Sequence, residues 1–271
     1  MKTHVTLLLG IISCLLFTTA CNKFEYSPYQ VEQIKDTPEH LNATNVAMLL
    51  SNEASADDTV TVLYTGDSQR YYDQLQKLVA KVNTIPGIDF MIISGDLADF
   101  GVLQEYLWIN RELSNLHIPV MCAVGNHDLA ANSGEAYEDM YGEKNYSFSY
   151  KKYKFVFHDT NSREYNFNGS VPNMYWLQNE LKDTVAQWFV GVSHVPPYDV
   201  DFDKTLEYPY KNLFASNPRF LLSLHGHLHD TSDSYYYDDH VRYMTSNSVQ
   251  KTETILLKFI NGTIIKQMIA Y

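Results

Sequence analysis

From about residue 58 onward, two kinds of apolar pattern follow one another along the chain. Apolar runs that end in a polar loop alternate with segments that have the three-to-four-residue apolar spacing of helices. In chain order, the first five segments are "TVTVLYTGD", "YYDQLQKLVAKVNTI", "DFMIISGDLAD", "LQEYLWINRELSNL" and "IPVMCAVGNHD". The order strand, helix, strand, helix, strand is typical of βαβ units around a parallel sheet, and it predicts an α/β fold. Further strands are predicted in "KFVFHD", "QWFVGVSH", "RFLLSLHGH" and "TETILLKFI".

The N-terminal part has a different pattern. Lys2 precedes the apolar run "VTLLLGIISCLLF", which is short for a membrane span and has the layout of a secretory signal. Small residues then lead to Cys21 in an arrangement that resembles the lipobox of bacterial lipoproteins, where this cysteine is lipidated; the alternative is an ordinary signal peptide with an incidental cysteine. We predict a signal peptide over residues 1–20, a tether and lead-in segment over 21–57, and one domain over 58–271.

Charge and cysteine content restrict the partners and the compartment. The formal net charge is -12, and an acidic surface repels nucleic acids and anionic membranes, so we expect no nucleic-acid polymer as partner and membrane contact only through the lipid anchor. Of the three cysteines, Cys14 lies in the predicted signal and Cys21 would carry the lipid, which excludes a disulfide framework. We therefore expect an exported lipoprotein that faces the periplasm or the cell surface. The sequence gives no indication of its oligomeric state.

Polar side chains follow five of the predicted strands. They are Asp67, Asp96, Asn126 with His127, His194, and His227 with His229. Each alone is weak evidence, because Asp and Asn commonly open turns and cap helices. Together they indicate a site, because ligands of α/β sheets bind beyond the carboxyl ends of the strands. A carboxylate that bridges two divalent cations, flanked by neutral ligands, is the arrangement suited to phosphoryl chemistry, and Asp96 suits the bridge.

Four motifs carry a family resemblance. "GDLAD" at 95–99, "GNHD" at 125–128, "SHVPP" at 193–197 and "GHLH" at 226–229 resemble, in order, the signature of the calcineurin-like metallophosphoesterases. The resemblance implies a four-layer α/β/β/α sandwich. It also implies a dinuclear metal-dependent phosphoric ester hydrolase, either a phosphomonoesterase or a phosphodiesterase, that uses a metal-bridging hydroxide as nucleophile. The cofactors would be two divalent or mixed-valence ions of Mn, Fe or Zn, and the substrate a small phosphoester.

The resemblance also implies roles for individual residues. The ligands of the first metal would be Asp67, Asp96, His229 and Gln69, and those of the second Asp96, Asn126, His194 and His227. His127 would act on the leaving group or the phosphoryl oxygens, and the carboxylate of Asp99 would orient it. His225 matches no ligand position, and we predict that it is a polar residue of a strand.

The first motif departs from the family pattern. Gln69 stands where the family usually has histidine. Three alternatives follow: Gln69 binds a metal that prefers oxygen, it hydrogen-bonds a metal-bound water, or the first metal site is weak. The departure also permits a second function, a metal-binding or phosphate-binding protein of the same fold with weak or lost turnover. The presence of His127 and Asp99 favours the enzyme.

A second departure concerns substrate contacts. Phe100 occupies the position at which phosphoprotein phosphatases of the superfamily carry a phosphate-binding arginine, which disfavours that activity. Arg70 and Tyr198 are the candidate substrate-binding residues. The alternatives are that Arg70 is a solvated loop residue and that Tyr198 is a half-buried surface residue.

Overall fold

The computed structural model of the chain describes residues 36–51 and 58–271. The predicted signal peptide, Cys21 and the first part of the predicted tether lie outside the described residues. Within the two described ranges, no helix has both the length and the apolar character needed to cross a membrane.

The first of two mixed β-sheets contains five strands. They are β1 (Val60–Thr65), β2 (Phe90–Ile93), β3 (Val120–Cys122), β10 (Glu253–Ile260) and β11 (Thr263–Ala270). Their order across the sheet is β11-β10-β1-β2-β3. β1, β2 and β3 are parallel, as the alternating pattern predicts, whereas the C-terminal hairpin β10–β11 pairs with β1 in the antiparallel direction.

The second sheet contains six strands. They are β4 (Tyr146–Tyr150), β5 (Tyr153–Phe157), β6 (Trp188–Val192), β7 (Phe220–His225), β8 (Ser232–Ser234) and β9 (Arg242–Thr245), in the order β4-β5-β6-β7-β9-β8. β5, β6, β7 and β9 are parallel to one another. The loops after β6 and β7, which carry the candidate histidines, therefore leave the same edge of the sheet.

Three apolar clusters arrange the helices and sheets in four layers. The helices are α1 (Leu41–Ser51), α2 (Tyr72–Val82), α3 (Leu103–Leu113), α4 (Glu135–Tyr141), α5 (Met174–Glu180) and α6 (Lys204–Ala215). Leu63 of β1 packs with α2, α3 and α4 in one cluster, whereas its neighbours on β1 point to the second sheet, as the alternation of side chains along a strand requires. Phe189 of β6 packs with α5 and α6 in another. The predicted α/β/β/α sandwich is confirmed.

Aromatic contacts hold the two sheets together in the central layer. Phe90 of β2 meets Phe155 of β5 edge to face, with ring centroids 5.1 Å apart. Phe155 in turn contacts Phe259 of β10 at 5.9 Å. Such pairs contribute about 0.5–1.5 kcal/mol each beyond the burial of their surface. The sheets are thereby fixed face to face, which fixes the relative positions of the loops at their edges.

Helix α1 covers the edge strand of the first sheet with side-chain amides. Asn42 is buried; its Nδ2 donates to the carbonyl of Cys122 at 3.1 Å, and its Oδ1 accepts the N–H of Cys122 at 2.8 Å. Asn45 Oδ1 accepts the N–H of Val120 at 3.2 Å. The two side chains complete hydrogen bonds that an edge strand leaves open. This part of the predicted lead-in segment therefore packs on the domain.

Candidate metal centre

Asp96, in the loop after β2, lies among the other candidate ligands. It is 2 % exposed. Its Oδ1 lies 3.3 Å from Nε2 of His194 and accepts the backbone N–H of His127 at 2.9 Å, and its Oδ2 accepts Nε2–H of Gln69 at 3.0 Å. Burial alone would raise the pKa of Asp96, but His194 and His127 hold it below its usual range. The buried group is therefore a carboxylate, the form that binds metal.

His194 and His227, two candidate ligands of the second metal, converge on the side-chain oxygen of a third, Asn126. His194 donates Nδ1–H to the carbonyl of Ser94 at 2.7 Å, which directs Nε2 to Oδ1 of Asn126 at 3.1 Å. Nδ1 of His227 lies 3.1 Å from the same oxygen. The structure thus brings together side chains that follow β3, β6 and β7. Two imidazole nitrogens and an amide oxygen form a set that suits Zn, Fe or Mn.

Asp67 and His229 also lie close to Asp96. Nε2 of His229 lies 3.2 Å from Oδ1 of Asp67, which also accepts the N–H of His227 at 3.2 Å. Asp67, Asp96 and His229 each offer a ligand atom within 4.8 Å of the others. Three of the four ligands predicted for the first metal therefore lie close enough to one another to hold an ion together.

One atom tests whether a cation fits this site. Oδ2 of Asp67 is buried and has no hydrogen-bond partner among the described residues. A buried carboxylate oxygen without a partner costs several kcal/mol unless a donor or a cation satisfies it. The carboxylate, amide and imidazole donors around it are those of a divalent-metal site, so the residues present fit the predicted cofactor.

The backbone of the site is strained at five of the candidate ligands. φ is positive at Asp67 (53°), Gln69 (31°), Asp96 (53°), His227 (69°) and His229 (55°). The left-handed region costs a non-glycine residue roughly 1–2 kcal/mol, and such residues cluster at functional sites. The fold holds five of these conformations within one cluster, which supports a functional role for it.

Glycines in the motifs allow the ligand loops to approach one another. A Cβ at Gly125 would lie 2.1 Å from the backbone nitrogen of Asp96, and one at Gly95, where φ is +93°, would lie 2.6 Å from Nδ1 of His194. Any side chain at these positions would push the loops apart. The glycines that precede Asp96 and Asn126 are therefore part of the geometry that gathers the ligands.

His127 is oriented by the main chain of Asp99. Its Nδ1 donates to the backbone carbonyl of Asp99 at 2.8 Å, whereas the carboxylate lies 3.7 Å away. That carboxylate contacts Nη2 of Arg70 at 3.2 Å. The structure therefore brings Asp99 and His127 together, but the closer contact is made by the peptide group rather than by the side chain.

The two candidate substrate-binding residues lie in different surroundings. The side chain of Arg70 is 63 % exposed and pairs with Asp99 next to His127. Tyr198 is half-buried and stacks on Tyr236, with ring centroids 4.0 Å apart. Phe100, at the position of the family's phosphate-binding arginine, is 60 % exposed. Arg70 therefore has the more direct connection to the cluster.

His225 is separate from the candidate ligands. It is fully buried, and its Nδ1 lies 3.0 Å from Oγ of Ser193. Burial lowers the pKa of His225 well below its usual value, so it is neutral. This contact agrees with the prediction of a polar strand residue.

Sequence reasoning missed the role of Asp128. It is buried and accepts the backbone N–H groups of Ala98 at 2.9 Å and Gly125 at 2.8 Å, together with that of Leu97 at 3.3 Å. The side chain thereby ties the loop after β2 to the loop after β3. Its place in "GNHD" was the available signal, since an acidic residue at the start of a turn commonly accepts backbone N–H groups.

Two further acidic residues that sequence reasoning missed stand beside His227. Asp199 and Asp201 each lie within 3.5 Å of its Nε2. Their alternating positions in "YDVDFD", directly after "SHVPP", were visible in the sequence. An acidic loop is usually a solvated one, so the pattern alone did not indicate a contact.

This chain is similar to two curated proteins that are named as cyclic-nucleotide phosphodiesterases. A 3',5'-cyclic-nucleotide phosphodiesterase from Nostoc sp. is 26 % identical over 151 residues, which are 53 % of this chain and 57 % of the relative. A probable cyclic nucleotide phosphodiesterase from Ruthia magnifica is 26 % identical over 173 residues, which are 59 % of this chain and 69 % of the relative. The chain thus spans little more than half the length of the first relative.

Solved structures share the fold. A dimetal phosphatase from Danio rerio superposes with a TM-score of 0.58 at 16 % identity, over 78 % of this chain and 99 % of the other. GAP50, the anchor in the inner membrane complex of Plasmodium, superposes with a TM-score of 0.61 at 15 % sequence identity, over 78 % of this chain and 84 % of the other. Residues 60–231 match the family model described as calcineurin-like phosphoesterase. With this match over more than half of its length, the chain belongs to the calcineurin-like metallophosphoesterase family.

Proposed function

We propose that this chain hydrolyses small phosphoesters at a dinuclear metal centre. Membership of the family supports a hydrolase that acts on phosphoester bonds. The observation that carries the dinuclear proposal is that Asp96 is close to both candidate ligand groups: it lies within 4.8 Å of the ligand atoms of Asp67 and His229, and its Oδ1 is 3.3 Å from His194, which contacts Asn126. A carboxylate shared by two ligand groups in this way would suit a centre of two cations.

The residues would divide between the two cations as the resemblance implies. Asp67, Asp96 and His229 would hold the first, and Asp96, Asn126, His194 and His227 the second. Gln69 lies in the same cluster with its amide nitrogen toward Asp96. A ligand role for Gln69 would require its amide oxygen, rather than its amide nitrogen, to face the cation.

When bound, the cations would supply Lewis acidity and activate water for attack on phosphorus. The protein's own proton carrier would be His127. Because its Nδ1–H is engaged by the Asp99 carbonyl, its Nε2 is the nitrogen left to face a substrate. A proton held on Nε2 would pass to the departing oxygen, which requires the imidazolium form at the start of the reaction. Arg70, beside Asp99, would contact a phosphoryl oxygen or the leaving group.

Among phosphoesters, cyclic nucleotides are the first class to test. Both curated relatives carry cyclic-nucleotide phosphodiesterase in their names, although each is only 26 % identical to this chain. The exposed ring of Phe100 follows the "GDLAD" motif directly and gives a base or another apolar group a surface to pack against. We therefore propose a small phosphodiester as the substrate, with monoesters as the comparison.

The test combines metal analysis with a substrate screen. The full-length protein and His194→Ala would be loaded with Mn or Zn, and bound metal would be measured together with hydrolysis of cyclic nucleotides, linear diesters and monoesters. We expect metal and turnover in the wild type and loss of both in the variant, because His194 is fully buried and supplies Nε2 to the cluster. A metal-replete wild type that hydrolyses none of these substrates would instead favour the binding protein.

A further inference from the structure

The imidazole of His227 makes polar contacts on both sides. On one side, Nδ1 lies 3.1 Å from Oδ1 of Asn126 within the ligand cluster. On the other, Nε2 lies 3.5 Å from Oδ1 of Asp199 and 3.4 Å from Oδ2 of Asp201. The ring is only 16 % exposed, so these contacts account for both of its nitrogens.

The two carboxylates are themselves held in place. Nη1 of Arg163 donates to both oxygens of Asp201, at 3.1 and 3.2 Å. Oδ1 of Asp199 accepts the backbone N–H of Asp201 at 2.9 Å, and the N–H of Asp199 is bonded to the carbonyl of Pro196 at 3.0 Å. Both residues belong to the loop that follows β6. This loop begins at His194, a candidate ligand, and its two carboxylates contact Nε2 of His227, another candidate ligand.

The chemistry of these contacts selects one tautomer of His227. A carboxylate only accepts hydrogen bonds, and so does the amide oxygen of Asn126, so the single proton of a neutral imidazole can serve only one side of the ring. Two carboxylate oxygens face Nε2 whereas one neutral amide oxygen faces Nδ1, and a cation bound among the candidate ligands would need the lone pair of Nδ1, so the proton belongs on Nε2. Nδ1 is then unprotonated and faces Asn126, which is the state needed to bind a cation. Carboxylates that accept the second N–H of a metal-binding histidine fix the ring and make it a stronger ligand.

We infer that Asp199 and Asp201 are positioning residues that hold His227 in the Nε2–H tautomer, with Nδ1 directed to the metal. This inference rests on the proposed dinuclear centre and adds to it a set of residues outside the four family motifs. The loop after β6 would thereby contribute to the affinity of the second metal site without any atom of Asp199 or Asp201 touching the cation.

A competing arrangement uses the same three side chains. Asp199, Asp201 and His227 offer ligand atoms within 4.8 Å of one another and would, with Nε2 as a ligand, form a separate cation site. The contacts favour positioning, because Arg163 already pairs with Asp201 and because a cation on Nε2 would leave the proton on Nδ1, which would remove His227 from the proposed second metal site. The two arrangements differ in metal stoichiometry and in the nitrogen that binds.

The experiment compares Asp199→Asn, Asp201→Asn and the double Ala variant with the wild type. We expect the double variant to lose roughly 10- to 100-fold in zinc affinity at one of two sites, with smaller losses in the Asn variants, whose amide oxygen still accepts a hydrogen bond. Metal would be titrated into full-length protein whose thermal unfolding is also measured. If the double variant does not fold, the Asn variants carry the test.

A spectroscopic readout separates positioning from a general effect on the fold. Protein with ¹⁵N-labelled histidine would be loaded with zinc, and the ring nitrogens of His227 would be assigned by comparison with His227→Ala. We expect zinc on Nδ1 and a proton on Nε2 in the wild type, and a shifted or exchanging Nε2–H signal in the Asp variants.

The matched control is Glu164→Gln. Glu164 is exposed, belongs to the same loop as Arg163, and its charge interacts with Asp201 and Asp96. Removing this charge should leave zinc affinity and the His227 signals unchanged. An equal loss of affinity in the control would overturn the inference in favour of a general electrostatic effect.

The failure of this inference is distinguishable from failure of the proposed function. A wild type that binds no metal would reject the dinuclear centre itself. A wild type with two zinc ions whose affinity is unchanged in the Asp variants, or whose His227 binds through Nε2, would overturn only the positioning role. Loss of a third ion in the variants would establish the separate cation site and would also overturn it.

Discussion

Gln69 donates Nε2–H to Oδ2 of Asp96 at 3.0 Å, so the residue in the family's usual histidine position contacts the candidate bridging carboxylate directly. Gln69 is 2 % exposed, and its own backbone N–H is bonded to the carbonyl of Asp96 at 3.0 Å. The side chain therefore remains within the cluster. Its contact occupies one oxygen of the candidate bridging carboxylate, so we expect a substitution at position 69 to change the affinity of the proposed first metal site.

Replacement of Gln69 by histidine should strengthen the first metal site. An imidazole would add a nitrogen ligand and remove the amide that competes for Asp96, and we expect metal affinity to rise by roughly tenfold, about 1.4 kcal/mol. Metal titration by calorimetry measures the change. Gln69→Ala is the control, since it removes the amide without adding a ligand. Identical titrations for the wild type and Gln69→His would show that position 69 lies outside the ligands.

The sequence predicted the candidate site because each ligand follows its strand directly. Asp67, Asp96 and His194 follow apolar runs that form parallel strands in both sheets, and the ends of parallel strands meet at one edge. The local pattern was therefore sufficient to place these residues together. The signal peptide and the lipidation of Cys21 stay predictions, because they lie outside the described residues.

The remaining features depend on contacts between distant parts of the chain. β10 pairs with β1 although almost the whole sequence of the domain separates the two strands. The pattern of apolar residues in a strand does not specify which other strand will be its neighbour. Likewise, Asn42 completes the hydrogen bonds of Cys122 from 80 positions away. A buried asparagine on a helix has the same appearance in a sequence as a solvated one. Such partners become visible only in three dimensions.

His127→Ala should leave metal binding at the proposed centre unchanged and slow the chemistry. We expect a loss of roughly 10²- to 10⁴-fold in kcat, the usual contribution of a general acid, with the larger losses for substrates that have poor leaving groups. Metal content and kcat would be measured for a series of aryl and alkyl esters. If the loss were the same for good and poor leaving groups, His127 would not be the proton donor.

Asp99→Asn distinguishes the contribution of the Asp99 carboxylate to the orientation of His127 from that of the Asp99 backbone carbonyl. His127 is bonded to the backbone carbonyl at 2.8 Å, which the substitution preserves, so we expect kcat to fall by less than about tenfold. Arg70→Ala is the paired variant, because it removes the other partner of the Asp99 carboxylate. A loss with Asp99→Asn as large as that of His127→Ala would show that the carboxylate takes over the contact during turnover.

His158 should make the stability of the protein depend on pH. It is fully buried; its Nδ1 contacts the carbonyl of Val156 at 3.0 Å and its Nε2 the hydroxyl of Tyr210 at 2.7 Å. Burial lowers its pKa to about 4. An unfolded histidine titrates near pH 6.5, so the unfolded state binds more protons. The contribution of His158 is therefore fully present above about pH 6.5 and is lost as the pH falls toward 4.

The measurement is thermal unfolding between pH 4 and 8 for the wild type and His158→Gln, both without metal. We expect the wild type to lose up to about 3 kcal/mol more than the variant across this range. Because both proteins carry the same candidate ligands, the difference between them isolates His158. Parallel stability curves would contradict a neutral, buried imidazole at this position.

Asn42→Ala should destabilise the fold without changing the metal site. The substitution leaves the N–H and carbonyl of Cys122 without their side-chain partners on a buried strand edge, and a lost pair of this kind costs about 1–3 kcal/mol. Chemical denaturation of the metal-free protein measures this cost. Asn45→Ala is the matched control: Asn45 lies on the same helix and bonds the partly buried N–H of Val120, so its loss should be smaller. Equal stability of the wild type and Asn42→Ala would mean that the hydrogen bonds of Asn42 contribute nothing to the sheet edge that helix α1 covers.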